Sequence, residues 1–425
     1  MTESPLNWDV YVTVASQSDV GMRRSNNQDH LSISLASSIE QWQRRGHLFI
    51  VADGMGAHAA GELASKIAVD QIPHLYAKYD DLPSPEALRK SVADANVEIH
   101  RRGQANEDFY NMGTTCSVLS LLPQGAVCGH VGDSRVYRLR KNRLEQLTFD
   151  HSLVWEMRAS GQLSAEEEAS GKIPKNVITR SLGPYAEAKV DLEGPFPIEV
   201  GDTFLLCSDG LTGMVEDHEL GSIMGNLPPD EAAKVLTDLA NLRGGPDNIT
   251  CIVIRVNHPQ LTTTAGGKKA RSGRFKLPIH PAALITFAAL LLATILFGVF
   301  GSWQAAFVPG VLCGVSLLWI IIQLVRAFAQ GGSASAGDRF GKGPYVRVDC
   351  GTGKQAYMKL RVITEKLLDS IKKQNRDIDM KTVNAHLSKA EEAVKTGKFS
   401  ESVKSYSRCI SFMMDSLRGL SLIHI

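Results

Sequence analysis

Four aspartates recur in one setting, where an apolar run of the sequence meets a turn. Asp53 lies in Val-Ala-Asp-Gly-Met-Gly, Asp133 in Val-Gly-Asp-Ser-Arg, Asp209 in Cys-Ser-Asp-Gly and Asp247 in Gly-Pro-Asp-Asn. Strand ends of one sheet meet at a common rim, and carboxylates gathered there repel one another unless cations or protons neutralise them. Such oxygen ligands favour Mg²⁺ or Mn²⁺ over zinc. The alternative is that each of these aspartates only shapes a turn.

Short strands and longer helices in the first 258 residues would position these aspartates. A buried apolar strand ends at Asp53, helical spacing covers 61–76 and 84–102, and two hairpins are predicted over 115–131 and 135–147. Neighbouring strands joined by tight turns indicate antiparallel sheets rather than a doubly wound parallel sheet. The pattern therefore predicts an α+β domain over residues 1–258.

Charge divides the chain into two parts. It has 425 residues, with 46 Lys and Arg against 45 Asp and Glu. Residues 1–258 contain 23 basic and 35 acidic residues, a net charge of −12, whereas residues 259–425 contain 23 basic and 10 acidic residues, a net charge of +13. An acidic domain of this kind is a poor nucleic-acid binder. The seven cysteines are scattered and form no CxxC pair, which indicates a reducing compartment.

Two apolar runs follow a basic linker over 259–276. The runs over 282–300 and 305–325 contain 19 and 21 uncharged residues, which as helices would be about 28 and 31 Å long. Basic residues flank the pair on both outer ends and are missing from its four-residue connector. We therefore expect a transmembrane hairpin over 277–325 in the cytoplasmic (inner) membrane, with the catalytic and C-terminal regions facing the cytoplasm. The alternative is a pair of buried core helices.

The last region, 344–425, is basic and has the spacing of three amphipathic helices, which predicts a small helical domain. Gly397-Lys398-Phe399 and Tyr406 weakly resemble one tetratricopeptide-type hairpin. Two partners are compatible with this composition, a protein or an anionic lipid surface.

The ordered motifs of the first region resemble the metal-dependent serine/threonine phosphatases of the protein phosphatase 2C type, in their bacterial form. The matching segments are 19–29, 53–62, 112–115, 129–135, 147–151, 179–183, 206–210 and 245–248. The second of them reads Asp-Gly-Met-Gly-Ala-His-Ala-Ala-Gly-Glu. The resemblance covers roughly residues 10–256. It implies a four-layer α/β/β/α sandwich of two antiparallel sheets and the hydrolysis of phosphoserine and phosphothreonine in phosphoproteins, which serine/threonine kinases would supply.

The resemblance also implies a binuclear Mn²⁺ or Mg²⁺ centre. Asp53 would bridge the two ions, Asp209 and Asp247 would complete the shell of the first, and the backbone carbonyl of Gly54 would serve the second. Asp133, together with Asp209, matches a third and weaker metal site. A metal-bound hydroxide would then attack phosphorus in line.

Further residues are matched around this centre. Arg24 corresponds to the arginine that grips the substrate phosphate, and with Asp53 and Asp209 it would form the catalytic set. Gln28 stands where the family often has Glu, and Gln28, Asp29 and Asn248 are candidates for the shell behind the metal ligands. His58 is a candidate general acid, with a surface or structural histidine as the alternative.

Three functions are compatible with the sequence. The first is an active phosphatase tethered to the membrane, and the second is a catalytically silent phosphatase-like module for signalling or binding at the membrane. The third is a membrane transport or sensing protein with an accessory phosphatase domain.

Residues 153–177 occupy the place of the family's mobile flap beside the centre. Since every matched site residue lies within 1–258, we expect this part to be soluble and active by itself.

Overall fold

The computed structural model describes residues 8–56, 59–163, 173–174, 177–263, 281–299, 308–319, 339–351 and 353–421. The chain divides into two compact units. The first joins the residues up to Thr263 with those from Arg339 onwards, and the second is Thr264–Asp338. The first unit therefore contains both the expected phosphatase region and the basic C-terminal region.

Two antiparallel sheets form the centre of the first unit. In the first sheet the strand order is β1 (Val12–Asp19), β11 (Ile249–Val256), β10 (Thr203–Cys207), β7 (Arg135–Arg140), β8 (Arg143–Gln146) and β12 (Val346–Asp349). In the second the order is β2 (Asp29–Ser34), β3 (His47–Met55), β5 (Cys116–Leu122), β6 (Gly125–Val131) and β9 (Asp191–Phe196), and the short β4 (Gly113–Thr114) pairs with β3.

Helices flank these sheets and continue after them. Those that precede residue 263 are α1 (Ile39–Arg45), α2 (Ala60–Lys78), α3 (Ser84–Ala105), α4 (Leu153–Ala159), α5 (Asp209–Thr212), α6 (Asp217–Asn226) and α7 (Pro229–Leu242). The second unit contains α8 (Pro281–Val299) and α9 (308–319). The C-terminal helices are α10 (Lys354–Lys373), α11 (Met380–Lys395) and α12 (Phe399–Ser421).

The alternation of side chains along each strand sets the layers. On β3, Leu48 and Ile50 pack with the helices α2 and α3, while Phe49 and Val51 pack into the core between the two sheets. This is the two-residue period of a strand that is buried on both faces. The opposite face of the first sheet, with Leu205 among its residues, packs on α6 and α7. The layers therefore run helix, sheet, sheet, helix, as the α+β pattern predicts.

The C-terminal helices share the phosphatase core. Leu360 of α10, Ala390 of α11 and Ile410 of α12 are buried in the same apolar cluster as Leu205 and Leu236. The strand β12 extends the first sheet by pairing with β8. In the described structure, residues 339–421 are thus an added part of the first unit.

The expected transmembrane hairpin is wrong. Among the described residues, no helix is both long and apolar enough to cross a membrane. Helix α8 has 19 residues, or about 28 Å against a hydrocarbon core of about 30 Å. The inner-membrane localisation drawn from the same runs stays a prediction.

The second unit is an insertion in the sequence, and the first-unit residues that flank it contact one strand region of the first unit. Before it, the amide of Thr263 donates to the carbonyl of Ile198 over 3.0 Å. After it, Phe340 and Gly194 form an isolated antiparallel bridge. The two attachment points are four residues apart in β9 and the residues that follow it. The chain therefore leaves and re-enters the first unit at one edge of the second sheet.

Candidate active site

Strand ends carry the carboxylates to one place. Asp29 begins β2 and lies opposite Asp53 in the β2–β3 register. Asp133 follows β6, Asp209 follows β10, and Asp247 comes two residues before β11. Strands β10 and β11 are paired up to Cys207 and Cys251, so the last two aspartates leave the first sheet at the same end.

The electrostatics of these aspartates confirm that they lie close together. Burial raises the pKa of Asp53 well above its usual value, and the charges of Asp29, Asp209 and Asp133 raise it further. Burial is also the main cause that raises the pKa of Asp29 and that of Asp133 to about 7. For Asp209, burial raises the pKa first and the charge of Asp247 adds to it. The folded chain thus holds mutually repelling carboxylates in a region of low polarity.

Several of these oxygens lack a partner. One side-chain oxygen each of Asp29, Asp133 and Asp209 is buried and accepts no hydrogen bond from the residues that the structure describes. A buried, unpaired carboxylate oxygen is costly, and a bound cation would relieve that cost. Among the residues that the structure describes, however, no three Asp, Glu, His or Cys side chains are arranged as a ready coordination shell. The donor chemistry therefore fits a divalent cation, although the closed geometry of a site is not preformed.

Thr115 holds the backbone of Asp53 and links it to Ser134, the neighbour of Asp133. The amide of Asp53 donates to the hydroxyl of Thr115 over 2.9 Å, and the amide of Thr115 donates back to the Asp53 carbonyl over 2.8 Å. The same hydroxyl lies 2.7 Å from that of Ser134. The sequence indicated the importance of the Met-Gly-Thr-Thr motif only through the family resemblance, because Asp53 and Ser134, which Thr115 contacts, are distant from it in sequence.

Asn248 holds the segment that leads to Arg24. Its side-chain amide donates to the carbonyls of Val20 and Asn26, both over 2.9 Å, and its side-chain oxygen accepts from the amide of Gln28. The carbonyl of Gln28 in turn accepts from the amide of Gly54. Asn248 and the backbone of Gln28 therefore connect this segment to Gly54, next to Asp53, and their place behind the metal ligands stays a prediction. Asp29 is likewise held by a hydrogen bond, since Ser208 donates to it over 2.7 Å.

Two glycines allow the loops to approach one another. A Cβ on Gly54 would lie 2.1 Å from the carbonyl oxygen of Gly61, and one on Gly210 would lie 2.0 Å from that of Asn248. Any side chain would therefore separate β3 from the start of α2, or the Asp209 loop from the Asp247 loop. The Asp-Gly pairs are thus needed for packing as well as for the turn.

Arg24 is at the same rim, paired with a predicted metal ligand. Its guanidinium Nη2 lies 2.8 Å from Asp247 Oδ2, and its side chain is about half exposed. The hydrogen bond to Asp247 is the largest cause that raises the pKa of Arg24, and the charges of Asp53 and Asp209 contribute as well. The structure therefore brings Arg24 to the aspartates from a distant part of the sequence. His58 lies outside the described residues.

A further network, missed from the sequence, stabilises the turn at Asp133. The amide of Gly132 donates to His151 Nδ1 over 3.0 Å, so the other ring nitrogen carries the proton and donates to Asp191 over 3.0 Å. Arg135 forms a bidentate pair with Asp150. The segment Leu-Thr-Phe-Asp-His was recognised as a family motif, but the sequence does not show which residues Asp150 and His151 contact.

A cavity of about 430 Å³ adjoins the centre on the Asp133 side. It is lined by residues that include Asp133, Asp209, Trp155, Arg158 and Val346. Val346 belongs to β12 of the C-terminal region, so that region contributes to the wall beside the aspartates.

Comparison with known proteins agrees with this fold and rim. The family model described as protein phosphatase 2C matches residues 22–241, just over half of the chain. The chain belongs to the protein phosphatase 2C family. It is similar to the protein phosphatase PhpP of Streptococcus pneumoniae, with 38% identity over 245 residues that cover 56% of this chain and 95% of PhpP.

Solved structures of this family agree. The serine/threonine phosphatase of S. agalactiae is 35% identical, with a TM-score of 0.52 over 58% of this chain and 100% of that one. The Mycobacterium tuberculosis serine/threonine phosphatase PstP is 33% identical, with a TM-score of 0.50 over 58% and 100%. This protein phosphatase 2C is accordingly a serine/threonine protein phosphatase of a metal-dependent family, with phosphoproteins as substrates.

Proposed function

We propose that the aspartate rim is a centre for two divalent cations, Mg²⁺ or Mn²⁺, at which phosphoserine and phosphothreonine are hydrolysed. The observation that supports this most is the set of buried carboxylate oxygens without partners at Asp29, Asp133 and Asp209, together with the raised pKa values of Asp53 and Asp209. Carboxylates that repel one another in a partly buried site are stabilised by bound cations.

Each residue has a place in this proposal. Asp53, at the meeting point of both sheets, would be shared by the two ions, with Asp209 and Asp247 on one side and the Gly54 carbonyl on the other. Asp133 and Asp209 would hold a third ion. When bound, the ions would supply Lewis acidity and the activation of a water molecule near neutral pH.

Arg24 would change partner during substrate binding. In the structure its guanidinium is paired with Asp247. A cation bound by Asp247 would weaken that pair, and the planar fork of donors would then be available for two phosphate oxygens. Its exposure makes this exchange sterically simple, because the guanidinium already faces solvent.

The test is hydrolysis by the full chain of a phosphothreonine peptide, measured as phosphate release with EDTA, with Mg²⁺ and with Mn²⁺. We expect no turnover in EDTA and recovery with either ion. Asp209→Asn should abolish turnover, because it removes a charged ligand while it keeps the volume of the side chain.

Asp108→Asn is the matched control, since Asp108 is exposed and is not one of the proposed cation ligands. Circular dichroism should show both variants folded. Near-normal turnover of folded Asp209→Asn would overturn the assignment of the cation ligands.

A further inference from the structure

The chain adds a structural element to the phosphatase site from beyond the family region. We call residues 339–349 the return segment, because they follow the insertion and rejoin the first unit. The matched family region ends at residue 241, so this segment is an addition. It bridges β9 through Phe340 and then runs as β12 along β8.

Tyr345 is held from two sides within the return segment. Its hydroxyl donates to Glu193 Oε1 over 2.5 Å, and its amide donates to the carbonyl of Gln146 over 2.8 Å. The amide of Gly343 donates to the other oxygen of Glu193 over 2.9 Å. The buried Glu193 carboxylate therefore fixes both the backbone and the ring of the segment, so that Tyr345 has little freedom to move.

The ring of Tyr345 touches the loop that leads into α4. Its centroid is 5.3 Å from that of Phe149, at an interplanar angle of 66°. Phe149 in turn contacts Trp155 of α4 edge to face, also at 5.3 Å. Edge-to-face pairs of this kind favour one mutual orientation of the rings. Tyr345, Phe149 and Trp155 thus form a row of three rings from the return segment to α4.

This row ends at the cavity beside the centre. Trp155 lines that cavity together with Asp133 and Asp209, and Val346, the neighbour of Tyr345, lines it too. Asp150, which follows Phe149, pairs with Arg135, two residues after Asp133. Displacement of Phe149 would therefore move one wall of the cavity without removing any of the proposed cation ligands.

We propose that Tyr345 is a positioning residue of this phosphatase, which sets the place of α4 and of the cavity wall through Phe149. The inference rests on the proposed function in that the cavity adjoins the proposed centre. A phosphopeptide that reaches the centre would contact this wall with residues next to its phosphorylated side chain. The wall should therefore affect peptide binding more than the turnover of bound peptide.

The experiment compares Tyr345→Ala with Tyr110→Ala in the full chain, because Tyr110 is 70% exposed. For Tyr345→Ala we expect KM for a phosphothreonine peptide to rise about three- to tenfold, the size of one aromatic pair, with a smaller fall in kcat. Tyr345→Phe, which keeps the ring, should recover most of the affinity. Tyr110→Ala should leave both constants unchanged.

Trp155 gives a second readout that does not depend on activity. Its emission is obtained as the difference between each protein and the same protein with Trp155→Phe. This difference spectrum should shift in Tyr345→Ala and stay unchanged in Tyr110→Ala.

Phe149→Leu examines the other side of the contact and keeps the proposal testable if Tyr345→Ala does not fold. It should raise KM by a similar factor, and the double variant should be no worse than the worse single variant. A lower melting temperature with unchanged KM and unchanged Trp155 emission would overturn the proposal, as would a fall in kcat alone. Failure of the cation centre would appear separately, as activity in EDTA or in Asp209→Asn.

Discussion

Arg24 and Asp247 are two predicted functional residues that form an ion pair with each other. They lie 2.8 Å apart although 223 residues separate them in sequence. The pair is partly exposed, and exposed ion pairs contribute little to stability. Under the proposed function, the pair matters because it places the guanidinium at the rim where a phosphate would arrive.

Arg24→Ala should impair substrate use while it leaves cation binding in place. Loss of the guanidinium should lower kcat/KM by a factor that corresponds to about 2–4 kcal/mol of transition-state stabilisation, as for removal of one partner of a buried charge pair. The measurement is steady-state kinetics on a phosphothreonine peptide at saturating Mn²⁺. Arg23→Ala is the control, since Arg23 is exposed and adjacent. A change below threefold for Arg24→Ala would show that another group binds the phosphate.

The raised pKa values predict how the cation-free protein responds to pH. Burial raises the pKa of Asp29 to about 7 from an ordinary value near 3.8. Between about pH 3.8 and pH 7, the folded chain therefore keeps a proton on Asp29 that the unfolded chain has released. The resulting stabilisation is complete below about pH 3.8 and is lost as the pH rises through about 7.

Asp29→Asn should remove this contribution, because the amide stays neutral and keeps an oxygen that can accept from Ser208. In EDTA, we expect the wild type to lose more stability than the variant between pH 5 and pH 8. Thermal unfolding at both values measures the difference. Parallel losses in the two proteins would mean that Asp29 is ionised throughout, contrary to the prediction.

At the scale of elements, the C-terminal helices attach to α6 and α7 by opposite charge as well as by apolar packing. Arg408 pairs with Glu231 over 2.7 Å, and Lys359 pairs with Glu216 over 2.8 Å. Ser411 donates to the buried carboxylate of Asp238. The acidic and basic halves of the sequence therefore meet each other, at least in part, within one unit.

Ile410→Ala should test whether α12 belongs to the core of the phosphatase. Ile410 is fully buried in the cluster that contains Leu205 and Leu236, and truncation of such a side chain costs about 2–5 kcal/mol. The matched control is Val362→Ala on α10, a side chain that is 47% exposed and should cost less than about 0.5 kcal/mol. Denaturant unfolding of the full chain measures both changes. Two separate unfolding transitions, of which Ile410→Ala destabilises only the one that belongs to the C-terminal helices, would contradict a shared core.

At the scale of the whole molecule, the insertion and the C-terminal region differ in how they depend on the rest. Residues Thr264–Asp338 form a unit of their own, and the first-unit residues on either side of it, Thr263 and Phe340, contact Ile198 and Gly194. The C-terminal helices instead contribute buried residues to the core of the first unit. This changes the expectation that residues 1–258 would be soluble and active alone, because their separation would expose the apolar face that α10 and α12 cover.

Replacement of residues 264–338 by an eight-residue Gly/Ser linker should leave the first unit folded and active. The attachment points at Ile198 and Gly194 are four residues apart, at most about 14 Å of extended chain, which the linker can span. Truncation after Thr263 should instead lower the melting temperature and promote aggregation. Thermal unfolding and light scattering distinguish the two proteins. Equal stability of the truncated and linker proteins would show that the C-terminal helices are not needed by the core.

The sequence by itself determined which family the chain resembles and much of the local structure, and it predicted the chemistry of the rim. The hairpin predicted over 115–131 appears as β5 and β6, and the one over 135–147 as β7 and β8. Turn residues and the two-residue alternation act over short distances, so they can be read directly. The three amphipathic helices of the last region were visible for the same reason, since their stripes repeat every three or four residues.

Only the tertiary structure decided which surfaces these elements share. An amphipathic stripe states that one face of a helix will be buried, but it does not identify the surface that buries it. The contacts of Arg24 with Asp247 and of Tyr345 with Phe149 join residues that are far apart in the chain. Such contacts depend on the packing of whole layers, which no local pattern encodes. The apolar runs predicted a membrane hairpin that the described helices do not form, since none of them is both long and apolar enough to cross a membrane.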